Sequence, residues 1–378
     1  MATREGTWRY RDRFGDRYGR TYFRRFGPGV VSSIGLGTYL GEPTDAVDAD
    51  YREAIEVGLE SGINVVDTAV NYRCGRSERV VGDALRAADV DREEVVVATK
   101  GGFVPFDGER PDDPGRYVRE EFLETGLVDP DDLAHGSHAI APGFLDAMLD
   151  RSLNRLRLDA IDCYYVHNPE TQLAVRSEEA VYDALEDAFE LLERRRLGGD
   201  IGRYGVATWD AFRVPADDEA ALSLPEILSR AAAAAETVGA DDHGLEAIQL
   251  PFNVTMADAF TRATQPAGDA GDGGDGGDAD GAGEEERRSV LEVAHDEGLS
   301  VFTGASIGQG ELAAGLPEHV APELAGDTAA QRAINFARSA PGVTSALVGA
   351  SDVDHVRENA AAGTFDPLGA GAFDAVFE

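Results

Sequence analysis

The sequence predicts an α/β protein, a closed (β/α)8 barrel of the TIM-barrel class, with a long loop after its third strand and an acidic disordered loop after its sixth. Three observations lead there. Eight apolar strand-like runs alternate with eight amphipathic helical stretches across 378 residues, which is the pattern of a parallel sheet covered by helices. Several of the runs are continuously apolar, such as Val95-Val96-Val97-Ala98-Thr99, as strands buried on both faces require. Polar, chemically capable residues stand immediately after those runs, at the strand ends where such barrels keep their chemistry.

In chain order, residues 1–29 form an arm rich in arginine and aromatics (Trp8, Tyr10, Phe14, Tyr18, Tyr22, Phe23, Phe26). In an acidic chain such an arm is expected on the protein's own negative surface or on a sister subunit. The barrel domain is expected over 30–378. Its strands fall at 30–36, 63–66, 95–99, 161–166, 201–207, 245–250, 299–305 and 343–348. Helices are expected at 46–61, 77–88, 142–156, 177–197, 225–238, 284–297, 328–339 and 354–361. Two stretches break this rhythm. Residues 102–141 are long for a connection and carry Phe103, Phe106, Tyr117 and Phe122, so a lid-like insertion over the strand ends is expected. Residues 266–286 are mostly Gly and Asp and have nothing apolar to bury, so a disordered loop is expected there.

Acidic residues outnumber basic ones by 71 to 34, a net charge of -37. That field repels phosphate backbones and anionic lipid, so neither nucleic acid nor membrane is an expected partner. Together with 43% hydrophobic residues in regular patterns, it suggests a halophilic protein of an acidic proteome, its carboxylates screened in a salty cytoplasm. The two cysteines, Cys74 and Cys163, make no disulfide framework and show no metal-ligand spacing. No apolar leader or membrane-length run is visible, and the expected location is cytoplasmic. A homo-oligomer is left open.

Lys100 is the only lysine; every other basic Lys/Arg position is arginine. A residue kept against that bias does work that a planar, permanently charged guanidinium does poorly, such as tuning a neighbour or forming a Schiff base. It ends the third strand. Asp67 ends the second, Tyr72 follows it by five residues, and His167 ends the fourth. An ammonium near a phenol favours the phenolate, a carboxylate behind it fixes the ammonium, and an imidazole can donate to a developing alkoxide.

These residues resemble the aldo/keto reductase family. The resemblance rests on Gly62-Ile63-Asn64-Val65-Val66-Asp67-Thr68-Ala69 with Tyr72, Gly75 and Ser77-Glu78, and on the strand ending in Lys100. It continues through Asp162-Cys163-Tyr164-Tyr165-Val166-His167, Gln249 with Asn253, and the stretch from Pro341 to Asn359, covering roughly 30–362. It implies reduction of a carbonyl to an alcohol with a nicotinamide dinucleotide lying across the C-terminal face. Tyr72 would be the general acid, Lys100 its tuner, Asp67 the holder of Lys100, and His167 the group that orients the carbonyl. Gln249 would bind the nicotinamide amide, with Ser306, Ile307 and Gly308 beside the pyrophosphate. Ser351, His355, Glu358 and Asn359 would sit near the adenosine end.

This chain departs from the family in three places, one of them a connection after Lys100 that is much longer than usual. Where Ser-Asn is typical after the fifth strand, Ala207-Thr208 stands here, so the Thr208 hydroxyl is what remains to hold the carboxamide. Where a basic pair often grips a 2′-phosphate, Ala350-Ser351 and His355 stand here beside Asp352. The expected cofactor is therefore NADP, with NAD open, and the partner a small-molecule carbonyl or alcohol. The alternatives are a reductase-like, cofactor-binding redox sensor or regulatory subunit with little turnover, and a lyase using Lys100 as nucleophile.

Overall fold

The computed structural model describes residues 1–19, 21–267, 286–318 and 320–377. The Gly/Asp-rich stretch expected as a disordered loop thus lies, but for its ends, outside the described residues. Eight parallel strands close a barrel in chain order. After a hairpin of β1 (Phe23–Phe26) and β2 (Gly29–Ser32), the barrel runs through β3 (Ile34–Gly37), β4 (Val65–Asp67), β5 (Val96–Gly101) and β6 (Ile161–His167). It continues with β7 (Ile201–Ala207) and β8 (Leu245–Pro251). A short pair, β9 (Gln265–Pro266) with β10 (Arg287–Arg288), stands outside the barrel before β11 (Ser300–Gly304) and β12 (Val343–Gly349). β11 pairs with β8, and β12 with β3, to close the ring.

The period-two rule of a strand sorts the side chains. Val65, Val96, Ala98, Cys163, Tyr165, Ala247, Phe302 and Leu347 fill the barrel interior as one cluster. Their neighbours Val66, Val97, Tyr164, Val166 and Ile248 face out, into the larger core beneath the helices. The interior is therefore a packed core, and the working space lies above the strand ends.

Two sequence expectations need correction. The apolar run 30–36 is two strands. It breaks at Ser33, whose amide is taken by the Tyr22 carbonyl at 2.6 Å, so β2 pairs back on β1 and only β3 enters the barrel. Both halves are buried, so hydrophobicity alone does not reveal the break. The helix expected over 284–297 begins at Val290, where Ser289 and Glu292 form a reciprocal capping box. Arg287–Arg288 before it belongs to β10.

The N-terminal arm is the barrel's floor. Its helix Arg4–Phe14 is capped by Thr3 and buries Tyr10, whose hydroxyl donates to the Ile63 carbonyl at 2.9 Å. Arg9 and Arg13 both pair with the buried carboxylate of Glu94, at 3.0 and 2.7 Å. Phe26 meets Phe302 edge-on at 5.3 Å from beneath, with the Arg203 guanidinium 4.2 Å over its ring. The arginine-rich arm thus lies on acidic groups of its own chain.

The connection 102–141 is ordered, with a helix Pro114–Val118 and a π-helical turn Arg119–Leu123. Phe106, Tyr117 and Phe122 contact one another in series, edge-on and tilted, and Phe122 packs edge-on against Phe144 at 6.0 Å. Its apolar surface therefore lies mostly against helix Pro142–Leu156. Of its aromatics only Phe103 reaches the strand ends, 5.0 Å edge-on from the His167 ring.

Candidate active site

The barrel register brings the four chemically capable residues together. β4 ends on Asp67, and β5 sets Lys100 beside Tyr165, two residues before His167 ends β6. The Lys100 ammonium has three protons to donate, and three acceptors surround it. They are Asp67 Oδ1 at 2.5 Å, the Thr68 carbonyl at 2.8 Å and Tyr72 Oη at 3.4 Å. Lys100 is fully buried. Because the ammonium donates to the phenol oxygen, the Tyr72 hydrogen is free to point into the space above.

Tyr72 is held by a locked loop. Arg73 and Cys74 adopt left-handed backbone, φ 48 and 56, and the chain recovers through Gly75 at φ 77. A Cβ at Gly75 would collide with the Arg155 guanidinium, which donates to the Val70 carbonyl at 2.8 Å. The buried Arg73 side chain pairs with Asp48, donates to the Glu42 carbonyl at 3.1 Å and lies 5.0 Å over the Tyr51 ring. Left-handed backbone at non-glycine positions costs free energy, and this packing offsets it.

The electrostatics follow from burial. Burial pushes the Tyr72 phenol pKa up, the nearby Lys100 charge pulls it back, and the net shift is upward. The expected lowering by the ammonium is thus outweighed, and the phenol holds its proton at neutral pH. For Lys100 burial acts downward, but Asp67 and then Tyr72 more than offset it, so its pKa is raised. His167 is driven well below the usual imidazole value by burial first, then by the Lys100 charge and by His138. Its ring is neutral and 6.0 Å from that of Tyr72, and its Nδ1 is buried without a partner.

A cavity of about 630 Å³ opens above these groups. Asp67, Tyr72 and His167 line one end, with Lys100 beneath. Thr208, Gln249, Ser306 and Ile307 line it further along, as do Ser351, His355, Glu358 and Asn359. Gly308 is not among the lining residues: it sits in a turn at φ 56 packed toward Leu312, and Gln309 and Gly310 line the wall there. Two observations bear on what the cavity accepts. The Thr208 hydroxyl is buried with no hydrogen-bond partner. The Gln249 amide donates to Asp67 Oδ2 at 2.9 Å, which leaves its carbonyl oxygen available to a ligand amide.

Sequence reasoning missed the mouth of the cavity. Tyr39, 57% exposed, stands edge-on to Tyr72 at 5.0 Å. Trp209, 42% exposed, lines the opposite wall. Its loop is held by the buried Glu170 carboxylate, which accepts from the Trp209 and Asp210 amides at 2.7 and 3.1 Å. A signal was present: Trp209 is one of only two tryptophans and stands two residues past a strand end.

The model of the aldo/keto reductase family matches residues 33–216. An NADH-specific methylglyoxal reductase of Escherichia coli (strain K12) is 31% identical over 190 residues, 49% of this chain and 51% of that protein. The chain spans about half the length of the curated relatives it matches. An aldo-keto reductase from Bacillus halodurans in its holo form superposes with a TM-score of 0.62 at 20% identity, covering 95% of this chain and 96% of that one. One from Klebsiella pneumoniae in complex with NADPH gives 0.58 at 20% identity, covering 95% and 94%. At that identity the two structures establish the fold.

Proposed function

We propose, from the premise that residues 33–216 belong to the aldo/keto reductase family, that this protein is an NAD(P)H-dependent oxidoreductase that reduces an aldehyde or ketone to an alcohol. The observation that carries this reading is the buried Lys100 ammonium, which meets Asp67, the Thr68 carbonyl and the phenol of Tyr72 at once.

A reduced nicotinamide supplies the hydride to the carbonyl carbon when it is bound along the cavity. The residues there suit it: Thr208 has an unpartnered buried hydroxyl and Gln249 an available amide oxygen, and together they can hold a carboxamide. Ser306 and Ile307 line the middle of the cavity, suited to the pyrophosphate. Ser351, His355, Glu358 and Asn359 also line the cavity, suited to the adenosine end, and no arginine or lysine is among the lining residues. That makes NADH an acceptable cofactor beside NADPH.

The chain's own residues deal with the proton. Tyr72 Oη donates its hydrogen to the carbonyl oxygen, which stays on its carbon and becomes the hydroxyl of the product alcohol. Lys100 stabilises the phenolate left behind, and Asp67 keeps Lys100 charged and in place. His167, neutral at working pH, donates to the same oxygen and fixes the carbonyl's orientation. The redox-sensor alternative is not favoured, because Asp67 and Tyr72 meet the buried Lys100 ammonium and His167 lines the same end of the cavity. A lyase is disfavoured too, since the Lys100 amine is charged, fully buried and engaged with three acceptors.

The test is oxidation of NADPH and of NADH against aldehydes, ketones and sugars in molar KCl. Turnover with at least one carbonyl is expected, and the reading fails if neither cofactor is oxidised with any of them. The salt follows from the charge of -37. A carboxylate surface of this density, with Arg230 alone meeting Glu179, Asp183, Glu186 and Glu226, should lose stability in dilute buffer as screening weakens. A halophilic, cytoplasmic setting belongs to this same proposal. A melting midpoint equal in dilute and molar KCl would contradict it.

A further inference from the structure

β5 stops at Gly101, opposite Val166, so the ladder on that side ends one residue short of His167. The chain leaves through Gly102 at φ 152, where a Cβ would lie 2.6 Å from the His167 carbonyl oxygen and 3.1 Å from His138 Nε2. Glycine is what lets the two approach. The His167 carbonyl takes its hydrogen bond from the His138 ring, Nε2 to oxygen at 2.7 Å. His138 comes from the long connection after β5 and is fully buried.

The orientation of that ring is set from outside. Arg176 can only donate, and its Nε meets Gln172 Oε1 at 3.2 Å, which fixes the Gln172 amide. Gln172 Nε2 then donates to His138 Nδ1 at 2.9 Å and also bonds the His138 carbonyl at 3.0 Å. An imidazole accepting at Nδ1 carries its hydrogen on Nε2, where the His167 carbonyl is waiting. Asp132, from the same long connection as His138, pairs with Arg176 at 2.5 Å. Phe103 closes the arrangement, edge-on to His138 at 4.8 Å and to His167 at 5.0 Å. Burial pulls the His138 pKa down to about 4, which keeps the donor neutral.

We infer that His138 is a positioning residue for the reaction, holding the strand end that carries His167 through a relay from Arg176 and Gln172. The inference rests on the proposed carbonyl reduction for its kinetic consequence. The long connection then serves the site from behind, bonding the His167 carbonyl on the side where β5 has ended, while β7 pairs with His167 on the other.

The experiment compares wild type, His138→Leu and His138→Gln in molar KCl. Leucine fills the space without a donor; glutamine can place an amide nitrogen near the position of Nε2. His138→Leu should lower kcat about tenfold, the usual scale for one buried hydrogen bond, with cofactor Kd unchanged. His138→Gln should recover most of that loss. If His138→Leu folds poorly, Gln172→Leu loosens the same ring from its other side and should lower kcat in the same direction by less. Wild-type kcat in His138→Leu, or a glutamine variant no better than leucine, would overturn the inference. Imidazole 15N spectra of the cofactor-free protein give a readout that needs no turnover. His138 should show the Nε2–H tautomer, and the His167 ring signals should move in His138→Leu. Unmoved His167 signals refute the positioning role. A wild type inactive on every carbonyl with these signals as expected would instead defeat the functional proposal alone.

Discussion

The two ends of this barrel use the same strands in opposite ways. At the floor, side chains of the N-terminal arm are matched to the barrel: Tyr10 to a backbone carbonyl, Arg9 and Arg13 to Glu94, Phe26 to Phe302 and Arg203. At the C-terminal face, buried polar atoms are left open. Thr208 Oγ1 and His167 Nδ1 have no partner, and left-handed backbone gathers at Arg73, Cys74, Asn168 and Ala305. Buried polar groups without partners are costly. Thr208 and His167 both line the cavity, so the C-terminal face keeps capacity to bind and react where the floor is closed by the arm.

The largest expected effect lies at the open end. Tyr72→Phe removes the donated proton and leaves the ring, so kcat should fall by about two orders of magnitude or more, while cofactor binding measured by fluorescence titration survives. A modest loss would mean that the proton comes from elsewhere. At the closed end, Phe26→Ala removes a ring buried beneath the barrel, and denaturant titration should report a loss of about 3–5 kcal/mol. Well below its melting point that variant should turn over normally. A slowed but fully folded Phe26→Ala would erase the contrast between the two ends.

Acid should attack the open end first. The His138 pKa moves from 6.5 to about 4 on folding, so between those values the unfolded chain binds the extra proton. Stability from this group is complete above the unfolded value and is lost as pH falls through that window, on the order of 3 kcal/mol. The depressed His167 acts in the same direction. The midpoint difference between wild type and His138→Gln should therefore shrink as pH drops from about 7 toward about 4, and a constant difference would count against the assignment.

The smallest effect is the most diagnostic of binding. Thr208→Val removes an unpartnered buried hydroxyl, so the cofactor-free protein should be unchanged or slightly more stable. Affinity for the dinucleotide should fall by about tenfold, one hydrogen bond's worth. Unchanged affinity would take Thr208 out of the cofactor site.

Much of this was legible in the sequence, and the reasons for the rest are physical. Alternating apolar runs disclose the eight strand–helix units because burial on both faces leaves a continuous hydrophobic signal. The same signal hides the turn at Ser33, since floor and barrel are equally buried. Lys100 stood out because composition made it unique. Gln249 as a partner of Asp67 was invisible, for the two lie on non-adjacent strands that face each other only across the closed barrel. His138 was hidden for a related reason: its partners are a backbone carbonyl and a side-chain amide, and neither leaves a motif. Tyr39 and Trp209 looked like ordinary loop aromatics until the cavity gave them a wall to form. Residues 102–141 read as a lid because their aromatics called for burial, and that burial is met mostly against helix Pro142–Leu156.

The proposed function requires that a compact ammonium at position 100 make Tyr72 an effective acid. Steady-state NAD(P)H oxidation by Lys100→Arg and Lys100→Met, each against wild type at saturating cofactor, tests it most directly. The three contacts at 2.5, 2.8 and 3.4 Å converge on one tetrahedral nitrogen, which a planar guanidinium cannot reproduce. Both variants should therefore be slowed by about two orders of magnitude or more with cofactor affinity retained. A Lys100→Arg enzyme that keeps near wild-type turnover would contradict the account.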